Sequence, residues 1–226
     1  MPANKSFFRR DLTATGVLVA LLILAAGVGL VYAVYNLRVR AEKAAHLRSA
    51  IPRLCQELSQ QREVLVSAIE AYKGRLGFYP PDHRLSRTPL IVDPITNQLM
   101  YELFGSLHDP AKETFRPAHL PSIRWAVIQR FFNADGFKNS AERAELVNHF
   151  LDASNLLATV AINEKPDEVH LLSFWPNWED VEPDLYAQIS AGTWCYNSSS
   201  PTHNPRTYDF WIEVKTPLTN IVIGNW

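Results

Sequence analysis

Seven histidines are the residues of this chain most suited to metal binding or acid–base chemistry, but their spacing favours neither role. They are His46, His83, His108, His119, His149, His170 and His203. None forms HxH, HExxH or HxxxH, the spacings that bring two imidazoles to one metal ion. GxSxG, P-loop, GxGxxG and SxxK motifs are absent from the sequence as well. We therefore expect no catalytic, cofactor-binding or metal-ligating residues, no cofactor and no enzymatic activity.

The two cysteines, Cys55 and Cys195, lie far apart in the sequence and form no CxxC pair. This spacing argues against a structural zinc site. Two states remain open, and we favour a pair of unpaired thiols. The alternative is a disulfide in a chain that lies outside the cytoplasm, closing a loop of about 140 residues.

The C-terminal third contains two weaker candidate sites. Residues 179–184, EDVEPD, carry enough carboxylates for calcium but lack the glycine and alternating Asp/Asn of an EF-hand loop. We interpret them as the acidic first turn of a helix. Five tryptophans offer a carbohydrate platform if exposed, although in strands such side chains usually belong to the core. They are Trp175, Trp178, Trp194, Trp211 and Trp226.

Charge is distributed unevenly over the 226 residues, although the formal net charge is only −1. That value excludes a globally basic nucleic-acid-binding protein. Residues 1–50 contain seven Lys/Arg and only two acidic residues, whereas the rest is mildly acidic. A basic, apolar N-terminus followed by an acidic body predicts a membrane anchor that carries a globular domain.

Residues 12–35 are the predicted anchor, because they form an uncharged apolar run after a short basic tail at 1–11. A helix of that length spans ~36 Å, more than the ~30 Å hydrocarbon core of a bilayer. A cleaved signal peptide is the main alternative, but the run exceeds an ordinary h-region and Arg38 and Arg40 follow it directly. The other alternative is that this run forms a buried helix in the core of a soluble protein. Basic residues flank both ends, so charge alone leaves the topology open.

An amphipathic helix is predicted to continue the anchor over residues 36–77. Apolar side chains recur there at helical spacing, at Ile51, Leu54, Leu58, Leu65, Ile69 and Tyr72. Pro52 should kink this helix or start a new one. Gly74 and Gly77, followed by Pro80-Pro81, should end it.

The remaining residues, 78–226, are predicted to form a globular domain of the α+β class. We expect an irregular crossing at 78–96 and helices at 97–104 (with Asn97 as cap), 121–132 and 140–151 (with Ser140 as cap). Strands are predicted at 169–174, 208–214 and 220–223, the last two joined as a hairpin. The expected fold is a long N-terminal helix packed on a small antiparallel sheet, with a helical insertion at about 85–165.

This order of elements resembles type IV pilin-like proteins, specifically the pseudopilins of type II secretion. The similarity depends on the apolar helix that continues into an amphipathic one, on AIEAYKGRLGFYPPD at 68–82, and on the closing hairpin at 199–226. The resemblance implies a non-enzymatic structural subunit that contacts other pilin-like subunits and inner-membrane lipid through its single transmembrane helix. It also implies a C-terminal domain in the periplasm.

The chain departs from the family where prepilins are processed. The family's leader ends in Gly, is cut before a Phe-like residue, and has Glu at the fifth mature position. Alignment of the apolar segments places Asp11 at the Gly, Leu12 at the Phe and Gly16 at the Glu. An intramembrane carboxylate is costly unless paired, so its loss removes a device that sets register between subunits. A second hypothesis is therefore a stand-alone bitopic protein that uses the pilin scaffold as an extracytoplasmic binding domain.

Overall fold

A computed structural model of the chain describes residues 6–152, 159–162, 168–174 and 192–226. The chain divides into two compact units, Met1–Ser49 and Ala50–Trp226. Three α-helices lie in the described residues: α1 (Ser6–Leu76), α2 (Leu99–Phe104) and α3 (Trp125–Phe132). The class is α+β, with a long N-terminal helix and small antiparallel sheets, as the sequence predicts.

Helix α1 is continuous through Pro52, so no second helix starts there. A proline inside a helix removes one backbone N–H and crowds the carbonyl four residues earlier, but the flanking residues remain helical. The helix ends where the sequence predicts. Gly77 follows Leu76 with φ +86°, and its N–H donates to the Lys73 carbonyl at 2.9 Å. A glycine in this left-handed conformation is the usual way to close a helix.

The predicted apolar stripe of α1 forms one wall of the core in the unit Ala50–Trp226. Leu54, Leu58, Leu65, Ile69 and Tyr72 are no more than 2% exposed, whereas Ile51, the first residue of the predicted stripe, is half-buried. Their removal from water stabilises the fold by about 1.5–3 kcal/mol each before entropy is counted. This part of α1 is therefore helical because its packing fixes it as well as because its sequence favours helix.

Twelve strands are present in the described residues. In chain order they are β1 (His83–Arg87), β2 (Leu90–Asp93), β3 (Ser106–Asp109), β4 (Thr114–Pro117), β5 (Ile123–Arg124), β6 (Ser140–Ala141), β7 (Thr159–Ile162), β8 (Val169–Phe174), β9 (Gly192–Thr193), β10 (Cys195–Asn197), β11 (Asp209–Lys215) and β12 (Asn220–Gly224). They form four sheets, with strand orders β1-β2, β5-β4-β3-β6, β7-β8-β9 and β10-β11-β12. All the pairs are antiparallel except β3 with β6.

The strand predictions in the C-terminal part of the chain are confirmed most closely. Strand β8 has the predicted bounds, and β11 and β12 differ from the prediction by one residue. In β11, the side chains of Phe210, Ile212 and Val214 are buried, the alternation expected of a strand with one face on the core. The hairpin loop is closed by hydrogen bonds between Thr216 and Thr219.

Two expectations for the N-terminal part of the globular unit are wrong. Residues 78–96 are not simply irregular, because β1 and β2 pair there as a hairpin. The helix predicted to open at Pro121 begins later, at Trp125. Ile123 pairs with Phe115 of β4 instead, since its buried side chain completes that sheet. The proline therefore precedes a strand rather than a helix.

The helix predicted at 140–151 is also wrong. Ser140 begins β6, and its hydroxyl donates to the Phe137 carbonyl at 2.6 Å, so it does not cap a helix. The segment contains only the short 3-10 turn Ala144–Leu146. Asn97 partly confirms its predicted role, because its Oδ1 accepts the Leu99 N–H at 3.2 Å at the start of α2. The insertion at about 85–165 is thus mixed, with six strands beside two short helices before residue 152.

A substitution at Gly105 should strongly destabilise the globular unit. Gly105 ends α2 with φ +69°, and an added Cβ would meet the Val147 side chain and the Asn148 carbonyl. Gly105→Ala should therefore lower the free energy of unfolding by about 2 kcal/mol or more. Urea unfolding of the full chain in detergent, followed by tryptophan fluorescence, measures this change.

Gly74→Ala is the matched control, because Gly74 is helical and an added Cβ meets nothing within 4 Å. It should raise stability by about 0.5–1 kcal/mol. Equal effects of the two substitutions would contradict the proposed packing around Gly105.

Candidate functional site

The histidines do not converge on a site. His83 is buried and its Nδ1 lies 2.8 Å from the Thr96 carbonyl, while His149 Nδ1 lies 2.6 Å from the Phe104 carbonyl. His203 is exposed and stacks on the Trp226 ring with 3.9 Å between ring centroids. Within the described residues, no group of three or more His, Cys, Asp or Glu side chains is arranged to hold a metal ion.

Cys55 and Cys195 are both free thiols. Cys195 is buried at the start of β10, and burial, reinforced by the negative charges of Asp93 and Glu213, raises its pKa to about 12. A thiol with that pKa is almost entirely protonated at neutral pH, and only the thiolate is a good nucleophile. Cys195 is therefore packed as a small apolar side chain.

Trp194 also belongs to the core, which is where tryptophans in strands are expected to lie. It is fully buried, stacks on Phe210 at 4.6 Å between ring centroids, and donates its Nε1–H to Gln61 Oε1 of α1 at 3.0 Å. Trp226 is 49% exposed. Trp175, Trp178 and the acidic run at 179–184 lie outside the described residues.

The predicted anchor residues lie in the first half of α1. Asp11, Leu12 and Gly16 are all helical, and an added Cβ at Gly16 meets nothing within 4 Å. From Val17 to Leu37 the large apolar side chains are 49–70% exposed. The helix has a mean hydropathy of 2.8 in its most apolar 18-residue window, and that window is wholly uncovered. By length and composition α1 can cross a membrane.

A buried carboxylate, which the sequence did not single out, joins three segments of the globular unit. Glu102 of α2 is fully buried. Its Oε1 accepts the Lys138 backbone N–H, and its Oε2 accepts the Asn139 backbone N–H and the Tyr72 hydroxyl, all at 2.8 Å. Asn139 also donates its side-chain amide to the Glu102 carbonyl at 2.7 Å. The end of α1, helix α2 and the 138–139 backbone are thereby fixed to one another.

Burial and hydrogen bonding act in opposite directions on Glu102. Burial raises its pKa above the ordinary value of 4.5, while the three donors and the nearby Lys138 charge lower it, and burial has the larger effect. The same environment raises the pKa of Tyr72 above its ordinary value, first through burial and then through the adjacent carboxylate.

A polar pocket of about 420 Å³ opens beside this network. Its lining includes Arg84 and Arg87 of β1, Gln98 before α2, and Lys138. The three cationic side chains are on exposed residues, whereas Gln98 is buried. A volume of this size falls within the range of small-molecule and peptide side-chain sites. The pocket brings together three cationic side chains from β1 and from the loop after α3.

Sequence reasoning did not identify this pocket, because its residues come from separate segments. Arg84 and Arg87 stand in a stretch expected to be irregular, and Lys138 precedes a segment expected to be helical. One signal was available in principle: Glu102 is the only acidic residue in the apolar stretch LMYELF, where a carboxylate must find buried donors.

The pH dependence of stability should reveal the titration of the Glu102 carboxyl group. Because its pKa is raised in the folded state, its contribution to stability is complete below the ordinary carboxyl pKa and falls as pH rises through the raised value. Glu102→Gln removes this titration and places an amide N–H against a backbone N–H, which costs about 1–3 kcal/mol. Urea unfolding from pH 4 to 8 should show that wild type is more stable than Glu102→Gln. The difference between their free energies of unfolding should narrow as pH rises.

Glu63→Gln is the control, because the Glu63 side chain is 70% exposed. It should change neither stability nor its pH dependence by more than about 0.5 kcal/mol. A difference between wild type and Glu102→Gln that widened with rising pH would mean that the hydrogen bonds outweigh burial.

No protein-family model, curated protein or solved structure matches this chain. Its function must therefore be inferred from the apolar helix, the core of the globular unit and the polar pocket.

Proposed function

We propose that this chain is a membrane-anchored, non-enzymatic, pilin-like structural subunit of a type II secretion or type IV pilus-like apparatus. One observation carries the proposal. A single helix, Ser6–Leu76, has an uncovered apolar stretch in its first half and a buried apolar stripe in its second half, followed by small antiparallel sheets. One element thus contains an anchor and the first core helix of a globular unit.

The anchor function is supported by the exposure of the apolar side chains in the first half of α1. A helix in the core of a soluble protein would be mostly covered, whereas the most apolar window of α1 is 0% buried. Exposed side chains such as Ile23 and Val31, at 68% and 70%, are unfavourable in water. In a bilayer, central Leu, Ile and Val each favour insertion by about 0.3–0.6 kcal/mol. Lipid is therefore the environment that best explains the sequence.

The pilin-like part of the proposal is supported by the junction after α1. Tyr72 packs edge-on against Phe78 at 5.9 Å between centroids and binds Glu102, so the last turn of the helix is integrated with the following turn. Tyr79 packs on Tyr208, which precedes β11. These contacts involve the AIEAYKGRLGFYPPD segment and the closing hairpin, the two stretches that carry the resemblance. The proposed partners are other pilin-like subunits and inner-membrane lipid, with the globular unit in the periplasm.

A stand-alone bitopic binding protein is the second candidate. Gly16 occupies the position of the family's intramembrane Glu, and Asp11 that of the Gly before the cleavage site. Without these residues, the resemblance no longer implies prepilin processing or the usual register contact. The polar pocket beside Lys138 favours this alternative, because a binding protein needs a ligand site.

Membrane retention tests the anchor. In the protein's own host, Leu21→Arg combined with Leu24→Arg should shift the chain out of the carbonate-washed membrane pellet. Each buried arginine at a helix centre costs about 2.5–3.5 kcal/mol on insertion scales. The matched control, Leu21→Phe with Leu24→Phe, should remain in the pellet. Recovery of intact wild type in the soluble fraction would refute the anchor.

Co-purification tests the subunit role separately. Wild type extracted from washed membranes in mild detergent should bring other pilin-like subunits with it, as identified by mass spectrometry. A chain with residues 12–35 replaced by an unrelated transmembrane helix of equal length should stay in the membrane but lose them.

The N-terminal residue, determined in the same mass spectra, separates the two candidates. A mature chain that starts at Leu12 supports processing and the subunit role. An intact N-terminus without pilin-like partners supports the stand-alone binding protein instead.

A further inference from the structure

The polar pocket of the globular unit contains cationic side chains that were brought together by a local irregularity of β1. In a regular strand, residues three apart point to opposite faces. The pairing of β1 with β2 shifts register between Arg84 and Ser86, so Leu85 is an extra residue. Such a bulge reverses the alternation, and Arg84 and Arg87 both line the pocket.

Hydrogen bonds fix the backbone at two of the three cationic residues. The Lys138 backbone N–H is bound to the buried Glu102 carboxylate at 2.8 Å. Asn133, in the left-handed conformation at the end of α3, donates its side-chain amide to the Arg84 carbonyl at 2.8 Å. The backbone of Lys138 and that of Arg84 are therefore positioned before any ligand binds, although both residues are exposed.

Three cationic side chains and two carboxylates line the pocket, so its lining has a formal net charge of +1. Asp82 accepts the Ser198 and Ser199 backbone N–H groups at 3.0 and 2.7 Å, and its side chain is fully buried. It also lies 3.4 Å from Arg84 Nε. Asp135 is the other carboxylate of the lining. The Arg87 side chain makes no hydrogen bond or ion pair within the described part of the chain.

Gln98 also lines the pocket, and its side chain is buried. Its Nε2 donates to the Pro81 carbonyl at 3.4 Å, which leaves Oε1 as the end of the amide without a hydrogen bond from the described residues. Because Oε1 is itself shielded from solvent, a ligand in the pocket does not reach it.

We propose that this pocket binds a carboxylate, as in an acidic residue of a peptide chain or a free N-acylated amino acid. Arg87 and Lys138 hold the carboxylate, and Arg84 supports it from the bulged strand. Arginine is suited to this role because its planar fork matches a carboxylate. All of these residues lie in the unit Ala50–Trp226, so the site is independent of whether the chain assembles.

Isothermal titration of the full chain in detergent tests the site at 50 mM salt. The probes are acetyl-Gly-Glu-Gly-Glu-Gly-amide, the same peptide with glutamine in place of both glutamates, N-acetylglutamate and inorganic phosphate. We expect the acidic peptide to bind with a dissociation constant on the order of 1 mM or tighter and the neutral peptide at least about tenfold more weakly. If the acidic peptide binds at least about tenfold more tightly than N-acetylglutamate, the natural ligand is part of a polypeptide. Equal affinities for the two probes identify a small acid as the ligand.

Variants assign the binding to this pocket. Arg87→Gln with Lys138→Gln should weaken binding of the acidic peptide at least about tenfold, and Arg87→Gln alone serves if the double variant does not fold. Arg206→Gln is the matched control, since Arg206 is exposed and does not line the pocket, and it should change affinity less than about twofold. The proposal is overturned if the acidic peptide does not bind, if the neutral peptide binds equally, if Arg206→Gln weakens binding as much, or if phosphate binds more tightly.

Discussion

The buried carboxylate of Glu102 is the interaction on which the arrangement of the globular unit depends. A carboxylate removed from water must be satisfied by hydrogen bonds, and here three donors come from two segments far apart in the sequence. Tyr72 brings the last turn of α1, while Lys138 and Asn139 bring the loop after α3. Loss of the Lys138 N–H would leave Oε1 without a donor, and loss of the Tyr72 hydroxyl would leave Oε2 with one donor in place of two, so the three segments hold one relative position. A purely apolar contact would not impose that specificity.

Helix α1 meets a second constraint, since the two halves of one continuous helix carry different patterns of apolar side chains. Its first half carries apolar side chains around the whole circumference, which suits lipid, and its second half carries them on one stripe, which suits a protein core. The transition needs no break in backbone hydrogen bonding, because helical geometry satisfies the backbone in both environments. Pro52 removes only one such bond. This explains why the element runs unbroken to Gly77.

The parts of the fold predicted from sequence are those whose signal is local. The stripe from Leu54 to Tyr72, the stop at Gly77 and strand β8 follow directly from periodicity and glycine conformation. The failures are places where long-range pairing decided the outcome. Ser140 became part of a parallel ladder with β3, and Ile123 completed a sheet with β4. The pocket belongs to this second kind, because the bulge at Leu85 that aligns its arginines arises only from pairing with β2.

In the proposed pilin-like subunit, the absence of a carboxylate at Gly16 shifts the expected source of specificity from the anchor to the globular unit. Helices in lipid gain little from apolar contact with one another, since lipid tails are as apolar as leucine, so register in a membrane needs polar pairs or close packing. Gly16 permits close approach but provides no charge. The directional groups of this chain lie instead around Arg87 and Lys138, which Glu102 and the β1 bulge position. If this chain recognises a specific partner, the polar pocket supplies the geometry for that recognition, and the apolar helix supplies only the membrane attachment.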